Sequence, residues 1–365
     1  MAETVMANWY LGMMSGTSLD GVDAALIETD GQTVTGRGGV GERAYPPSLR
    51  RRLRALLERA SELDEQDGEL RAVERLLTLE HVRLARDLCA AAPVRPVAIG
   101  FHGQTILHRP EEGRSWQIGD AALLARECDL LVVSAFRTAD VKAGGQGAPL
   151  VPVYHAALCA AYEKPLAVVN IGGVSNVTWI GGKDELLAFD CGPGNALIDD
   201  WMAAHGHPPV DRDGRMAAAG RADTAWVSGI MGRDYFSAKP PKSLDRNDFA
   251  NPDHPRWSLE DGAASLTLLT VRAIAAAAAH FPAMPLRWVI CGGGRHNRTM
   301  MAMLREHLPG EVIGADEWGW RGDMLEAEAF AFLTARHLRG LPLSFPGTTG
   351  VPRPMPGGVL FRPGD

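Results

Sequence analysis

At 365 residues the chain is longer than one hydrophobic core normally serves, so two lobes with a ligand-binding cleft between them are expected. Its 46% hydrophobic and 22% charged residues suit an ordinary globular protein, and a net charge of -7 leaves no general basic field for nucleic acid or an anionic membrane. Five scattered cysteines without a C-x-x-C pair read as reduced thiols, not as a zinc or redox motif. The first nine residues lack the basic start and apolar core of a secretory signal, and the longest apolar run, Ala273 to Ala279, is too short for a bilayer. A cytoplasmic enzyme with no membrane partner is expected.

The first element is strand-like from Trp9 to Met13, followed by a small-residue loop from Ser15 to Gly21 and a second strand from Val22 to Glu28. Asp30-Gly31 marks a hairpin turn into Gln32 to Thr35. Apolar residues three and four apart predict a helix around Leu49 to Leu57 and a longer one from about Glu69 to Cys89. Buried strands are expected at Val97 to Gly100 and Leu130 to Ser134, with His102-Gly103-Gln104-Thr105 and a helix near Ala121 to Glu127 between them. The alternation is that of an α/β lobe. Thr138 to Pro149 is irregular and glycine-rich, a candidate hinge or pocket loop.

After a helix from about Val153 to Tyr162, the opening pattern returns: strand Leu166 to Ile171, Gly/Ser/Asn loop Gly172 to Asn176, strand Val177 to Ile180. A strand to Phe189 leads into a loop from Asp190 to Asn195, then helices, a strand Trp288 to Cys291 before three glycines, and a last helix Asp323 to Leu338. The predicted boundaries are 1–150 for the first lobe and 151–334 for the second, with the proline-rich segment 335–365 packing on the first.

Gly36 to Gly41 spells G-x-G-x-x-G, yet Pro46-Pro47 follows where a helix should open, so the dinucleotide fingerprint fails. Lys183 follows Gly182 but precedes Asp184, so no Walker loop exists either. The repeated hairpin loops supply another route to a nucleotide. Glycine lets the backbone approach phosphate oxygens, while turn amides and Ser/Thr hydroxyls donate to them. Gly16, Thr17, Ser18, Leu19, Asp20, Gly21, Val22 and Asp23 in one half, and Asn170, Gly172, Gly173, Ser175 and Asn176 in the other, are the candidate ATP contacts. Either stretch alone reads equally well as a tight turn. Gly292, Gly293 and Gly294 would let a flat base lie against backbone.

Asp190, before Cys191-Gly192-Pro193, is the candidate general base, with helix capping as its structural alternative. Asp20 is a candidate water-mediated Mg2+ ligand, and Arg137 a partner for a substrate carboxylate.

Six strings in order resemble the anhydro-N-acetylmuramic acid kinases: Gly12 to Asp23, His102 to Thr105, Gly144 to Pro152, Asn170 to Gly173, Phe189 to Asn195 and Cys291 to Gly294. The resemblance implies two RNase H-like lobes of the actin-like ATPase fold, ATP and Mg2+, and a homodimer. It implies conversion of 1,6-anhydro-N-acetylmuramic acid and water to the 6-phosphate sugar in peptidoglycan recycling. It assigns His102, Gln104, Arg137, Gly145, Gln146, Gly194, Asn195 and Glu326 to the small-molecule sugar and Asp190 to catalysis. One departure is Ala135, where the family commonly has Asp. A kinase of another anhydro sugar such as levoglucosan, or a sugar-independent actin-like or Hsp70-like ATPase, are the competing readings.

Overall fold

A computed structural model describes residues 6–16, 18–182, 185–244, 248–249, 254 and 256–365. Among them the chain runs through strands β1 (Asn8–Ser15), β2 (Gly21–Thr29) and β3 (Val34–Ala44), then helices α1 (Pro47–Glu58) and α2 (Gly68–Ala91). There follow β4 (Ala98–Arg109), β5 (Arg114–Ile118), α3 (Ala121–Cys128), β6 (Leu131–Ser134), α4 (Thr138–Lys142) and α5 (Pro152–Leu158). The second half contains β7 (Leu166–Ile171), β8 (Val174–Ile180), β9 (Leu186–Pro193), α6 (Ala196–Ala204), α7 (Arg215–Ala219), α8 (Thr224–Met231), α9 (Asp234–Ser237) and α10 (Leu259–Ala277). It continues with β10 (Arg287–Cys291), α11 (Arg298–His307) and β11 (Glu311–Gly314), before α12 (Leu325–Leu338), α13 (Pro346–Thr349) and β12 (Val359–Phe361).

Two compact units result, one of residues 1–158 and 324–365, the other of residues 159–323. The sequence boundary at 334 differs because α12 packs on β1, β2 and β4 of the first unit. The tail joins the same unit, with β12 pairing antiparallel to β6.

The strand order repeats. In the first unit it is β12-β6-β4-β1-β2-β3 with β5 on β4, and in the second β11-β10-β7-β8-β9. Each half holds an antiparallel three-strand meander, β1-β2-β3 or β7-β8-β9, and its first strand runs parallel to a later one, β4 or β10. The recurrence seen in the sequence is thus a recurrence of topology.

Four local readings change, the first being that Thr138–Lys142, read as irregular, is helix α4. His102 to Thr105 lies inside β4, not between strands, because β5 pairs back onto it with Gln104 opposite Ile118. β8 begins at Val174, so Ser175 and Asn176 are ladder residues opposite Ile171 and Asn170 and the loop shrinks to Gly172 and Gly173. β9 continues to Pro193 and carries Asp190 within it. The rejected G-x-G-x-x-G is strand β3.

Each unit has its own core, one including Leu11, Leu53, Leu77 and Phe101, the other Val169, Phe189, Leu269 and Trp288. The helix Leu259–His280 is apolar and long enough to cross a membrane by composition, but 78% of the tested stretch is buried, as befits the central helix of its unit. In the first unit α12 lies flush on the sheet. Gly12 and Gly100 are register partners on β1 and β4, and a Cβ at either would strike the helix backbone at Ala327 or Phe330. Replacing Gly12 by Val should therefore cost about 3 kcal/mol or more, since rigid backbone cannot yield. Gly229→Ala, at a helical site with open space around it, should add up to about 1 kcal/mol. Chemical denaturation of the two variants measures the contrast.

Candidate active site

In the first unit the loop between β1 and β2 runs from Gly16 to Asp20, with Thr17 outside the described residues. Ser18 and Asp20 are exposed, while Leu19 is buried and held at φ +60, with its amide bonded to Gly16 O at 3.3 Å. A left-handed leucine is strained by roughly 1–2 kcal/mol, so its neighbours must hold it there. They do so from behind. The Tyr45 amide donates to Asp20 O at 2.9 Å, its hydroxyl lies 2.6 Å from Ser15 Oγ, and Ser15 Oγ lies 3.1 Å from His81 Nε2. His81 Nδ1 donates to Leu77 O at 2.9 Å, which leaves Nε2 as the acceptor for Ser15. Burial lowers His81 to about 4, so the ring is neutral at ordinary pH.

Gln104 is fully buried and donates to Gly16 O at 3.1 Å, so it fixes the loop and presents no surface to a sugar. Val22 is also buried and, like Asp23, lies in strand β2, so it offers no side chain to a phosphate. Asp20 accepts from Arg50 at 2.7 Å with its side chain 71% exposed.

His102 is buried and uses both ring nitrogens. Nδ1 donates to Gly103 O at 2.8 Å, and Nε2 accepts from Arg137 Nε at 3.1 Å and Nη2 at 3.0 Å. Burial, and then the Arg137 charge, hold its pKa well below the usual histidine value. The ring thus positions Arg137. Arg137 also donates to Gly147 O at 3.2 Å, which ties β4 to the glycine-rich loop. That loop is fixed by buried Asp140, which accepts from the Gly147 amide and the Thr349 hydroxyl, each at 2.6 Å. The Gln146 amide donates to Thr349 O at 2.7 Å, and a Cβ on Gly145 would collide with the Asp140 carboxylate.

Glu326, in the first turn of α12, is exposed, although desolvation raises its pKa against the opposing pull of Arg137. Ala135 sits at φ +54, a left-handed position that Asp tolerates better than Ala.

In the second unit, Gly172 O accepts from the Asn195 amide at 2.7 Å, and Gly173 O from the amides of Gly194 at 2.9 Å and Ala196 at 3.2 Å. Gly194 must be glycine because a Cβ would strike Gly172 O. Asn195 Nδ2 donates to Ile171 O at 3.1 Å, so this side chain braces the loop. Ser175 is fully buried and donates to Gly192 O at 3.0 Å.

The three glycines divide by role. A Cβ on Gly292, at φ +72, would meet Asn170, and one on Gly294 would meet Ile171, so both are demanded by packing against the end of β7. Gly293 instead lines a recess of about 520 Å³ with Asn195, Asp199, Val210, His296 and Asn297. That volume suits a nucleoside-sized ligand. Arg295 holds the glycine turn from below, donating to Gly292 O at 3.0 Å and forming a bidentate pair with Asp323 at 2.6 and 2.7 Å.

Asp190 is half-buried on β9. Its Oδ2 accepts from the Leu244 amide at 2.8 Å, its carbonyl from the Tyr235 hydroxyl at 2.7 Å, and its amide donates to Lys242 O at 3.1 Å.

The sequence profile described as anhydro-N-acetylmuramic acid kinase matches residues 8–363. The chain belongs to the anhydro-N-acetylmuramic acid kinase family. It is 50% identical to the protein of that name from Rhodopseudomonas palustris (strain BisB18) over 362 residues, covering 97% of this chain and 99% of that one. It is 52% identical to the Acidiphilium cryptum (strain JF-5) protein over 357 residues, covering 97% and 98%. Among solved structures it is similar to a ligand-bound xylulose kinase from Lactobacillus acidophilus, at TM-score 0.47 and 10% identity, covering 91% of this chain and 89% of that one.

Within this family frame, the site residues fall into two sets, each assembled in its own unit. The first contains the Gly16–Asp20 loop, Gln104, His102, Arg137, Gly145, Gln146 and Glu326, and the second Gly172, Gly173, Asp190, Gly194, Asn195 and Gly293. Sequence reading missed Tyr45, His81, Asp140, Arg295, Tyr235 and Lys242. No motif marks them: Tyr45, His81, Tyr235 and Lys242 act through contacts distant in the chain, and Arg295 and Asp140 hold glycines three and seven residues away.

His81 makes the first loop sensitive to acid. The unfolded chain protonates near pH 6.5 and the folded one near 4, so stability falls as pH drops from about 6.5 toward 4. Replacing His81 by Gln should flatten the stability profile in that window by up to about 1.4 kcal/mol per pH unit, one proton's worth. Urea titrations from pH 7 to 4 would detect it; an unchanged slope would remove His81 from the account.

Proposed function

We propose that the chain uses ATP to open the 1,6-anhydro ring of 1,6-anhydro-N-acetylmuramic acid by hydrolysis and to phosphorylate O6, giving N-acetylmuramic acid 6-phosphate and ADP. The observation that carries this reading is the end-to-end match to a single kinase family at about half identity, with the candidate base Asp190 held by three hydrogen bonds.

Opening an acetal ordinarily takes two carboxyl groups, one to activate water and one to protonate the leaving oxygen. Here the leaving oxygen has another fate. Asp190 takes a proton from water as that water attacks C1. The C1–O6 bond breaks toward O6, and O6 forms its new bond to the γ-phosphorus as ADP departs. Water supplies the oxygen at C1, and the proton rests on Asp190 until product leaves. One carboxylate then suffices.

The recess beside Gly293 receives the adenosine end of ATP, and Gly172–Gly173, braced by Gly194 and Asn195, serves phosphate oxygens. The Gly16–Asp20 loop has the same chemistry. Magnesium, when bound with ATP, neutralises phosphate charge. Among the described residues no group of three or more His, Cys, Asp or Glu is poised for a metal. Magnesium in kinases is held chiefly by phosphates and waters with one or two carboxylates, so an exposed Asp20 fits a water-bridged role. Arg137, oriented by His102, and Glu326 are the sugar-facing groups of the first unit. A cytoplasmic homodimer is the setting the resemblance implies.

Asp190→Asn should lower ring opening and phosphate transfer together by at least about a hundredfold, since both need the same proton acceptor. Product mass spectrometry in oxygen-labelled water reads this directly, with label at C1 in the wild-type product. A variant that consumed anhydro sugar without forming sugar phosphate would sink the coupled scheme.

A further inference from the structure

We propose that the segment Tyr235–Leu244 is a strap that positions the catalytic carboxylate, with Tyr235 and Lys242 as its positioning residues. The inference rests on Asp190 being the base. Among the described residues β9 is the last strand of its sheet, with no strand paired on its outer edge. An edge strand leaves backbone groups to water, and a carboxylate on it is free to rotate unless something closes the edge. The strap closes it at one point. Lys242 O takes the Asp190 amide at 3.1 Å as a neighbouring strand would. The Leu244 amide, 2.8 Å from Oδ2, bonds to the carboxylate itself, and the Asp190 carbonyl is taken by the Tyr235 hydroxyl at 2.7 Å. Backbone amide, backbone carbonyl and side chain of one residue are therefore gripped by three residues of a single segment.

The strap is itself tied down. Lys242 Nζ donates to Tyr235 O at 2.9 Å and reaches Phe236 O at 3.4 Å, closing the segment into a loop. The same ammonium lies 4.7 Å from the Tyr235 ring centroid and 5.5 Å from that of Phe189, the residue preceding Asp190. Cation–π contact thus joins strap and strand beside the hydrogen bonds. Burial lowers the Lys242 pKa and raises that of Tyr235, so the hydroxyl remains a donor throughout the working range. Phe236 seats the strap in the core of the unit.

A group held by three bonds is pre-oriented for proton transfer, and loosening it should slow the chemical step without altering substrate binding. The test is steady-state kinetics on the full-length enzyme with ATP and the anhydro sugar. Tyr235→Phe removes one oxygen only, and Lys242→Met removes the ammonium while keeping the stem. Each should lower kcat about tenfold with KM for ATP and for sugar within twofold and an unchanged melting temperature; Lys242→Arg should restore part of the loss. Wild-type kcat in both Tyr235→Phe and Lys242→Met, or a rise in KM with kcat intact, overturns the proposal. Asp190→Asn run in parallel separates the two levels. If it is inactive while the strap variants are normal, only the strap falls; if it remains active, Asp190 is not the base and the strap falls with it.

Discussion

Glycine loops cannot hold themselves. A segment with few side chains must be fixed by hydrogen bonds to its backbone from residues behind it, and the site depends on that constraint at each place where glycine brings backbone close to a ligand position. Gln104 and the Tyr45–Ser15–His81 chain hold the first loop. Asn195 and the amides after Pro193 hold the second. Arg295 holds Gly292 through its carbonyl, and Asp140 holds Gly147 through its amide. The holders are mostly buried, and each spends at least one polar atom on the loop backbone or on a residue that braces it. Gln104, Ser175 and His102, which look like ligand contacts in sequence, are buried and bonded to backbone or to Arg137.

The same logic extends to charge. Arg137 is planar and always ionised, and a neutral His102 on one side with Gly147 O on another fixes its fork without neutralising it. A protonated histidine there would repel the guanidinium, and burial beside that charge keeps it neutral. Asp190 is treated alike: the Leu244 amide and the Tyr235 hydroxyl donate to it, and its own amide donates to Lys242 O.

Repetition of the strand order gives both halves the same device, a hairpin whose glycine turn lies at the end of a strand that also runs parallel to a neighbour. The two halves have diverged in how they cover the sheet. In the first, α12 arrives from the far end of the chain and settles on Gly12 and Gly100; in the second, α10 packs on β8 and β9 from within its own unit.

Much of this was legible without coordinates. Length pointed to two lobes and strand–helix alternation to α/β; the recurring strand–glycine–strand pattern pointed to paired phosphate loops, and the ordered strings to one kinase family, because each pattern depends only on residues close together in the chain. Tertiary structure alone decided where α12 belongs, that β4 continues through His102 to Arg109, and that Ser175 faces inward. It alone brought Tyr45 and His81 behind Gly16, and Lys242 and Leu244 beside Asp190. The reason is physical: local patterns encode periodicity and turn geometry, whereas a hydrogen bond between residues 54 apart, such as Leu244 to Asp190, exists only once folding has placed the two chains side by side.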